Sequence, residues 1–324
     1  MSYLSFIICI GSTILSWQLI YWLIPLLKKY LTDIPNERSS HIAPTPRGGG
    51  ISFVVISAIA SVISGFVFKV WTPMICLPLI CTPLAVIGLI DDRLDLPPWI
   101  RYGAQLFTAF LLIKQSSLYL TSNTYVPEFL IIGILLIGLT AVINFINFMD
   151  GLDGLVAGCL LVTLFTSIIV LQAPWPIWTL LGSLIGFLIW NWHPSKIFMG
   201  DIGSTFLGAF LGGIILQSNE LKDAVGLLLI PMPLLMDAFI CVLRRFFAGQ
   251  NIFQAHRLHL YQRLYLAGWS KPKVSLAYIT GCIALASSFL LLGLQWEIYL
   301  AILLILIGFF ADKNLAISFE AATK

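Results

Sequence analysis

Stretches of about twenty apolar residues follow one another along this chain with little between them, and that alone excludes most folds. The stretches lie near 4–26, 51–70, 73–90, 102–120, 127–149, 155–172, 174–192, 202–217, 224–243, 274–294 and 296–311. An α-helix needs roughly 20 residues to cross a bilayer core, so most of them reach spanning length. Of the 324 residues, 59% are hydrophobic and only 10% charged, far outside the range of a soluble domain. The expected fold is therefore an all-α polytopic integral membrane protein with about eleven transmembrane helices. The stretch at 202–217 is short and glycine-rich, so it is expected to tilt, to thin the bilayer or to begin in a polar pocket. No soluble domain and no fixed-period repeat interrupts the pattern. Residues 1–324 read as one integral membrane domain, with polar loops near 27–50, 91–101, 150–154, 192–202 and 244–273.

Basic residues set the expected orientation. If eleven helices alternate, the side reached after the first receives fifteen lysines and arginines; the other receives only Lys69, Lys114 and Lys222. The positive-inside rule then places the N-terminus outside and the C-terminus in the cytoplasm. The first stretch lacks a preceding positive residue and is followed by Lys28 and Lys29, so it reads as a helix and not as a cleavable signal. The cysteines (Cys9, Cys76, Cys81, Cys159, Cys241 and Cys282) all fall within apolar stretches, without metal-ligand spacing. They read as small packing residues.

On this topology the acids Asp33, Glu37, Asp91, Asp92, Asp95, Asp150, Asp153 and Asp201 share one side with His41, His193, His256 and His259. That sorting predicts one active-site cleft on the cytoplasmic face. In "NFINFMDGLDG" (144–154), polar residues recur every third position, which drifts about 60° backwards per step on an ideal helix. They share a face only if the helix breaks, and Gly151 is the expected break. Asn144 and Asn147 would end one helix; Asp150 and Asp153 would line the turn and the start of the next. Asp91 and Asp92 point about 100° apart and so address different groups. Asp201 sits just before the glycine-rich helix, whose early residues Gly203, Ser204 and Thr205 offer backbone N–H groups that suit phosphate oxygens. Arg47 stands beside Gly48, Gly49 and Gly50, which permit close approach to an anion. His256 and His259, at i and i+3, lie in a basic loop with Arg244, Arg245, Arg257 and Arg263. A zinc site there lacks a third ligand at suitable spacing. Hard carboxylate oxygens and guanidinium groups suit Mg²⁺ and phosphates. The residues alone thus reach phosphoryl chemistry between a nucleotide-activated donor and a membrane acceptor.

The ordered motifs "PNERSSHIAPTPRGGG" (35–50), "DD" (91–92), "NFINFMDGLDGL" (144–155), "NWHPSKIFMGDIGSTFLG" (191–208) and "PLLMDAFICVLRR" through "HRLHLYQ" (233–262) resemble a known family. This is the polyprenyl-phosphate N-acetylhexosamine-1-phosphate transferases of glycosyltransferase family 4, which include the phospho-MurNAc-pentapeptide translocase. The resemblance implies an Mg²⁺-dependent enzyme, with Mn²⁺ as a substitute, of the bacterial inner membrane. It would transfer a sugar 1-phosphate from a UDP-N-acetyl-hexosamine to undecaprenyl phosphate and release UMP. By position, Asp201 resembles the metal ligand, with Asp92 a second candidate, and Asp91 and Asp92 resemble the pair near the lipid phosphate. Asn144, Asn147, Asp150, Asp153, Asn191 and Phe198 match the nucleotide pocket. His256, Arg257 and His259 match the loop that holds the diphosphate, and Arg47 joins them as a substrate-binding residue.

The translocase's three consecutive histidines are absent, and Ala255 stands where many GlcNAc-1-phosphate transferases carry an acid. "AHRLHLYQ" looks more like the branch that initiates O-antigen and lipopolysaccharide synthesis. The alternatives are a translocase-like enzyme of peptidoglycan synthesis, an ion-coupled transporter, a CDP-alcohol phosphotransferase and a non-catalytic scaffold. Membrane lipids are expected partners, nucleic acid is not, and a homodimer is left open. The identity of the sugar, the glycan pathway supplied, and a one-step against an aspartyl-phosphate route also stay open.

Overall fold

The computed structural model describes residues 3–35, 43–120, 127–251 and 256–323. Glu37, Arg38, His41 and Ala255, which entered the sequence reading, lie outside the described residues. The chain opens with α1 (Tyr3–Tyr30) and a short antiparallel pair, β1 (Thr32–Asp33) and β2 (Thr45–Pro46), with Thr32 opposite Pro46. Then come α2 (Ile51–Phe66), α3 (Pro73–Leu94), α4 (Pro98–Lys114), the single turn α5 (Ser117–Leu120) and α6 (Glu128–Met149). The second half holds α7 (Leu155–Val170), α8 (Trp175–Asn191), α9 (Asp201–Ile215), α10 (Leu221–Leu229) and α11 (Met232–Phe247). It closes with α12 (Leu260–Leu266), α13 (Lys271–Leu292), α14 (Leu294–Asn314) and α15 (Phe319–Thr323).

Local chemistry explains many of the boundaries. Proline stands in the first turn of α3, α4, α8, α11 and α13, where its missing N–H costs nothing. Thr72 caps α3 by accepting from Ile75 N–H at 3.3 Å. Asp95, in the left-handed region at φ 50°, ends it. Pro231 and Pro233 cannot donate to the α10 carbonyls, and α10 and α11 meet at 74°.

The expectation of about eleven spans is corrected. Among the described residues, five helices are long and apolar enough to cross a membrane: α1, α3, α6, α13 and α14; the bent α10–α11 pair makes a sixth. The stretches that became α2, α7, α8 and α9 form helices of only 15 to 17 residues. Their apolarity has another cause. Every residue of α9 after Asp201 is buried within the protein, whereas α1, α6 and α14 bury only 17%, 17% and 11% of their most apolar windows. A helix hydrophobic all round is buried either in protein or in lipid, and hydropathy does not separate the two. The outside N-terminus, the cytoplasmic C-terminus and the cytoplasmic placement of the cleft rested on alternation over eleven spans, and they fall with that count.

Small residues let the helices close around α9. A Cβ on Gly208 would come within 2.7 Å of Ile143 Cα in α6, and one on Gly88 of α3 within 2.6 Å of the Asp201 carbonyl group. α8 presses on α1 in the same way, with Gly182 against the Cys9 carbonyl and Gly186 against that of Thr13. α9 is thus a buried axle, and Asp201 is its polar tip. All six cysteines are free.

Candidate active site

The break expected at Gly151 is where α6 ends and α7 begins, at Met149 and Leu155. The carboxylates then meet through helix ends that are distant in sequence. Asp92, in the last turn of α3, accepts from Asp201 N–H at 3.1 Å and from Ile202 N–H at 3.4 Å, and so caps α9 from outside it. Asp91 turns elsewhere, as a 100° offset requires. Its two oxygens accept from Leu96 N–H at 2.7 Å and pair with Arg101 at 2.9 Å. Asp91 and the Asn147 amide both reach the Asp201 carboxylate. No cationic side chain among the described residues forms an ion pair with Asp201.

Asp91, Asn147 and Asp201, though not Asp92, border a cavity of about 380 Å³, lined also by Asp95, Arg101, Tyr102, Gln105, Asn144, Thr205, His256, His259 and Gln262 among others. That size is at the lower end for small-molecule sites. Asn144 exchanges two side-chain hydrogen bonds with Gln105, at 2.8 and 3.1 Å, which ties α6 to α4. Across the cavity, burial and the charge of Arg245 keep His259 neutral, its pKa pushed down to about 4. Burial, His259 and Arg245 push His256 down to about 3. Neutral imidazoles offer N–H donors to an anion without titrating near pH 7. Asp150, half-buried at the turn, is pushed up to about 7, first by burial and then by the charge of Asp92.

Asp150 and the other residues singled out from sequence, Asp153, Asn191, Phe198, Arg47 and Arg257, are not among those lining this cavity. Asp153 is buried against His193 Nδ1 at 2.7 Å, Lys271 Nζ at 3.3 Å and Ser195 N–H at 3.4 Å. Burial opposes ionisation there, but the His193 hydrogen bond and the Lys271 charge hold its pKa below the ordinary value. Asn191 accepts from Gly154 N–H and donates to the Ile197 carbonyl, both at 3.0 Å, joining the turn to the segment before α9. Phe198 pairs through its backbone with Pro46 at 2.8 Å and with Gly49 at 2.9 Å. Arg47 is tied to Asp33 at 2.7 Å while its charge acts on Asp92 and Asp201. The glycines beside it serve packing: a Cβ on Gly50 would lie 2.4 Å from Gly203 Cα, and the Gly49 and Gly50 N–H groups are spent on the carbonyls of Phe198 and Met199. Arg257 is half-buried in the histidine loop.

Two features were missed from sequence. Arg101 and Gln105, at i and i+4, put a guanidinium and an amide on the cavity face of α4; that spacing in an apolar helix was the available signal. The fold also brings Cys241 from α11 to His256 and His259, their ligand atoms all within 4.8 Å. No linear spacing announces this group. The His256 Nδ1 lone pair is engaged there by Leu258 N–H at 3.3 Å.

The oxygen-rich donor set of Asp201, Asp92 and Asn147 fits a hard divalent cation, because crowded carboxylates without a basic partner need positive charge.

The chain is similar to known proteins over most of its length. The family model described as glycosyl transferase family 4 matches residues 74–219. The decaprenyl-phosphate N-acetylglucosaminephosphotransferase of Mycobacterium leprae (strain TN) is 32% identical over 290 residues, covering 75% of this chain and 72% of the relative. A probable undecaprenyl-phosphate N-acetylglucosaminyl 1-phosphate transferase of Bacillus subtilis (strain 168) is 29% identical over 296 residues, covering 86% and 82%. The phospho-N-acetylmuramoyl-pentapeptide-transferase of Lactococcus lactis subsp. cremoris (strain MG1363) is 29% identical over 277 residues, covering 76% and 83%. With its long apolar helices and these relatives, the chain is a multi-pass bacterial membrane protein. By sequence and by relatives that span most of its length, it belongs to glycosyl transferase family 4, the polyprenyl-phosphate sugar-1-phosphate transferases.

Proposed function

We propose that this chain, as one membrane domain over residues 1–324, transfers an N-acetyl-hexosamine 1-phosphate from a UDP-sugar to undecaprenyl phosphate and releases UMP. The glycan supplied is O-antigen, lipopolysaccharide or a related envelope polymer. Transfer of a sugar 1-phosphate from a UDP-sugar to a polyprenyl phosphate is the reaction of the family. One observation carries the assignment to this cavity: Asp91 and Asp201, the latter held from behind by Asp92, share a single space with two neutral histidines.

The residues divide the work as follows. Asp201, with Asp92 beside it, holds Mg²⁺, or Mn²⁺ in its place. When bound, the cation supplies charge neutralisation for the diphosphate and for the departing UMP. His256, Arg257 and His259 donate to the diphosphate oxygens, and Arg47 adds positive charge near Asp92 and Asp201. Asn144 and Asn147 line the nucleotide end, and Asp150 serves it from the turn that follows α6. Asp153, Asn191 and Phe198 hold the wall behind it. A phosphate oxygen of the lipid attacks the β-phosphorus in line, and the bond to UMP breaks. Asp91 and Asp92 are already engaged through both oxygens, which favours direct attack over an aspartyl-phosphate.

The test is release of UMP by purified protein supplied with undecaprenyl phosphate, Mg²⁺ and a panel of UDP-N-acetyl-hexosamines. Activity with one or more of these donors, abolished by omitting the lipid phosphate, is expected. No UMP from any donor would overturn the reading.

A further inference from the structure

Asp237 plays no part in the chemistry just described, yet its carboxylate is buried and surrounded by donors. It lies in α11, and its side chain is 4% exposed. One oxygen accepts from Leu260 N–H at 2.7 Å; the other accepts from Tyr261 N–H at 3.1 Å and from Tyr278 Oη–H of α13 at 2.7 Å. Leu260 and Tyr261 open α12, whose N-cap is His259. Histidine is not among the side chains that cap helices well, whereas aspartate is. The first two N–H groups of α12 are therefore satisfied from another helix. His259, relieved of that duty, is left lining the cavity beside His256, the two ring centroids 4.9 Å apart.

We propose that Asp237 is a positioning residue for sugar-nucleotide binding. By capping α12 from α11 it fixes His259, and through it His256, at the diphosphate end of the cavity. The inference rests on the proposed donor role of those histidines. Neighbouring contacts complete the clamp: Gln262 Oε1 accepts from His259 N–H at 3.3 Å, and Arg263 Nε donates to the Leu258 carbonyl at 3.1 Å. Within this clamp it is Asp237 that serves two consecutive N–H groups at once. An asparagine there keeps one acceptor oxygen and turns an NH₂ toward groups that are themselves donors.

The experiment combines steady-state kinetics in each substrate with hydrogen exchange of the 256–263 segment, for Asp237→Asn, Tyr278→Phe, His259→Ala and the Asp237→Asn/His259→Ala double variant. In Asp237→Asn the KM for the UDP-sugar is expected to rise about tenfold, the scale of one charge-assisted hydrogen bond, with the KM for undecaprenyl phosphate within about twofold. Segment 256–263 exchanges faster. In the His259→Ala background the same substitution adds less than about twofold, because residues acting through one another are not additive. Tyr278→Phe shifts the donor KM the same way by about threefold, having lost one bond of the three, and it decides the matter should Asp237→Asn not fold. Unchanged exchange, a full effect on top of His259→Ala, or a change confined to the lipid substrate overturns the proposal. A wild-type protein that releases no UMP refutes the function instead, and the exchange data still report whether Asp237 holds the loop.

Discussion

The carboxylate of Asp92 binds the backbone N–H of Asp201 at 3.1 Å, across 109 residues of sequence. Two acids that repel are thereby fixed side by side, since the N-terminus of α9 attracts the negative charge of Asp92. Asp201 enters the cavity as the half-buried tip of an otherwise buried helix. A geometry this constrained makes the consequences of substitution specific.

Asp201→Asn should reduce turnover by at least about 10²-fold, the effect of removing one preorganised electrostatic contact. The variant should still fold, because the Asp92 cap uses the Asp201 backbone and not its side chain. Near-normal UMP release at limiting Mg²⁺ would remove Asp201 from the metal site.

Gly88→Ala tests the contact between α3 and α9. Its methyl would lie 2.6 Å from the Asp201 carbonyl carbon and oxygen, and backbone cannot swing aside as a side chain can. Overpacking of this kind costs roughly 1–3 kcal/mol. Activity should fall together with the melting temperature, whereas Gly103→Ala, with nothing within 4 Å of the new methyl, should alter neither. Equal behaviour of the two variants would show that the α3–α9 spacing has slack.

Asp153→Asn should act mainly on stability. His193 and Lys271 converge on a buried carboxylate, and removing one member of a buried ion pair typically costs about 3–5 kcal/mol. Thermal unfolding in detergent should move down clearly, while donor affinity stays within about threefold, roughly 0.7 kcal/mol. A stable variant with sharply weakened UDP-sugar binding would instead put Asp153 on the nucleotide.

The neutral state of His259 has a pH signature. Its folded pKa of about 4 lies below the ordinary value near 6.5, so the unfolded chain binds the extra proton first as the medium acidifies. Stability should be level above pH 6.5 and fall on acidification toward pH 4, by up to about 1 kcal/mol per pH unit from this group. Melting temperatures across that window, compared with His259→Gln, provide the check. A wild-type curve no steeper than the variant's would mean that His259 is charged in the folded protein.

The helix break was legible in advance; the partners of the polar residues around it were not. Asn144, Asn147 and the break at Gly151 follow from a three-residue polar spacing that no straight helix accommodates, and the ordered motifs point to the family. Spacing along the chain is silent about Asp153, which meets His193 and Lys271 at separations of 40 and 118 residues. It is equally silent about Cys241, delivered to the histidines by α11.

Sequence alone determined that this chain lives in a membrane and what chemistry its polar groups suit, because composition and side-chain type fix both. Only the tertiary structure decided which apolar helices face outward and which, like α9, are enclosed by their neighbours, because burial against protein and burial in lipid demand the same side chains. It also decided which carboxylates are spent on structure and which remain for a ligand. Asp92, Asp153 and Asp237 are the same residue type in similar apolar settings, and their roles differ only through the backbone N–H groups and side chains that folding brings within reach.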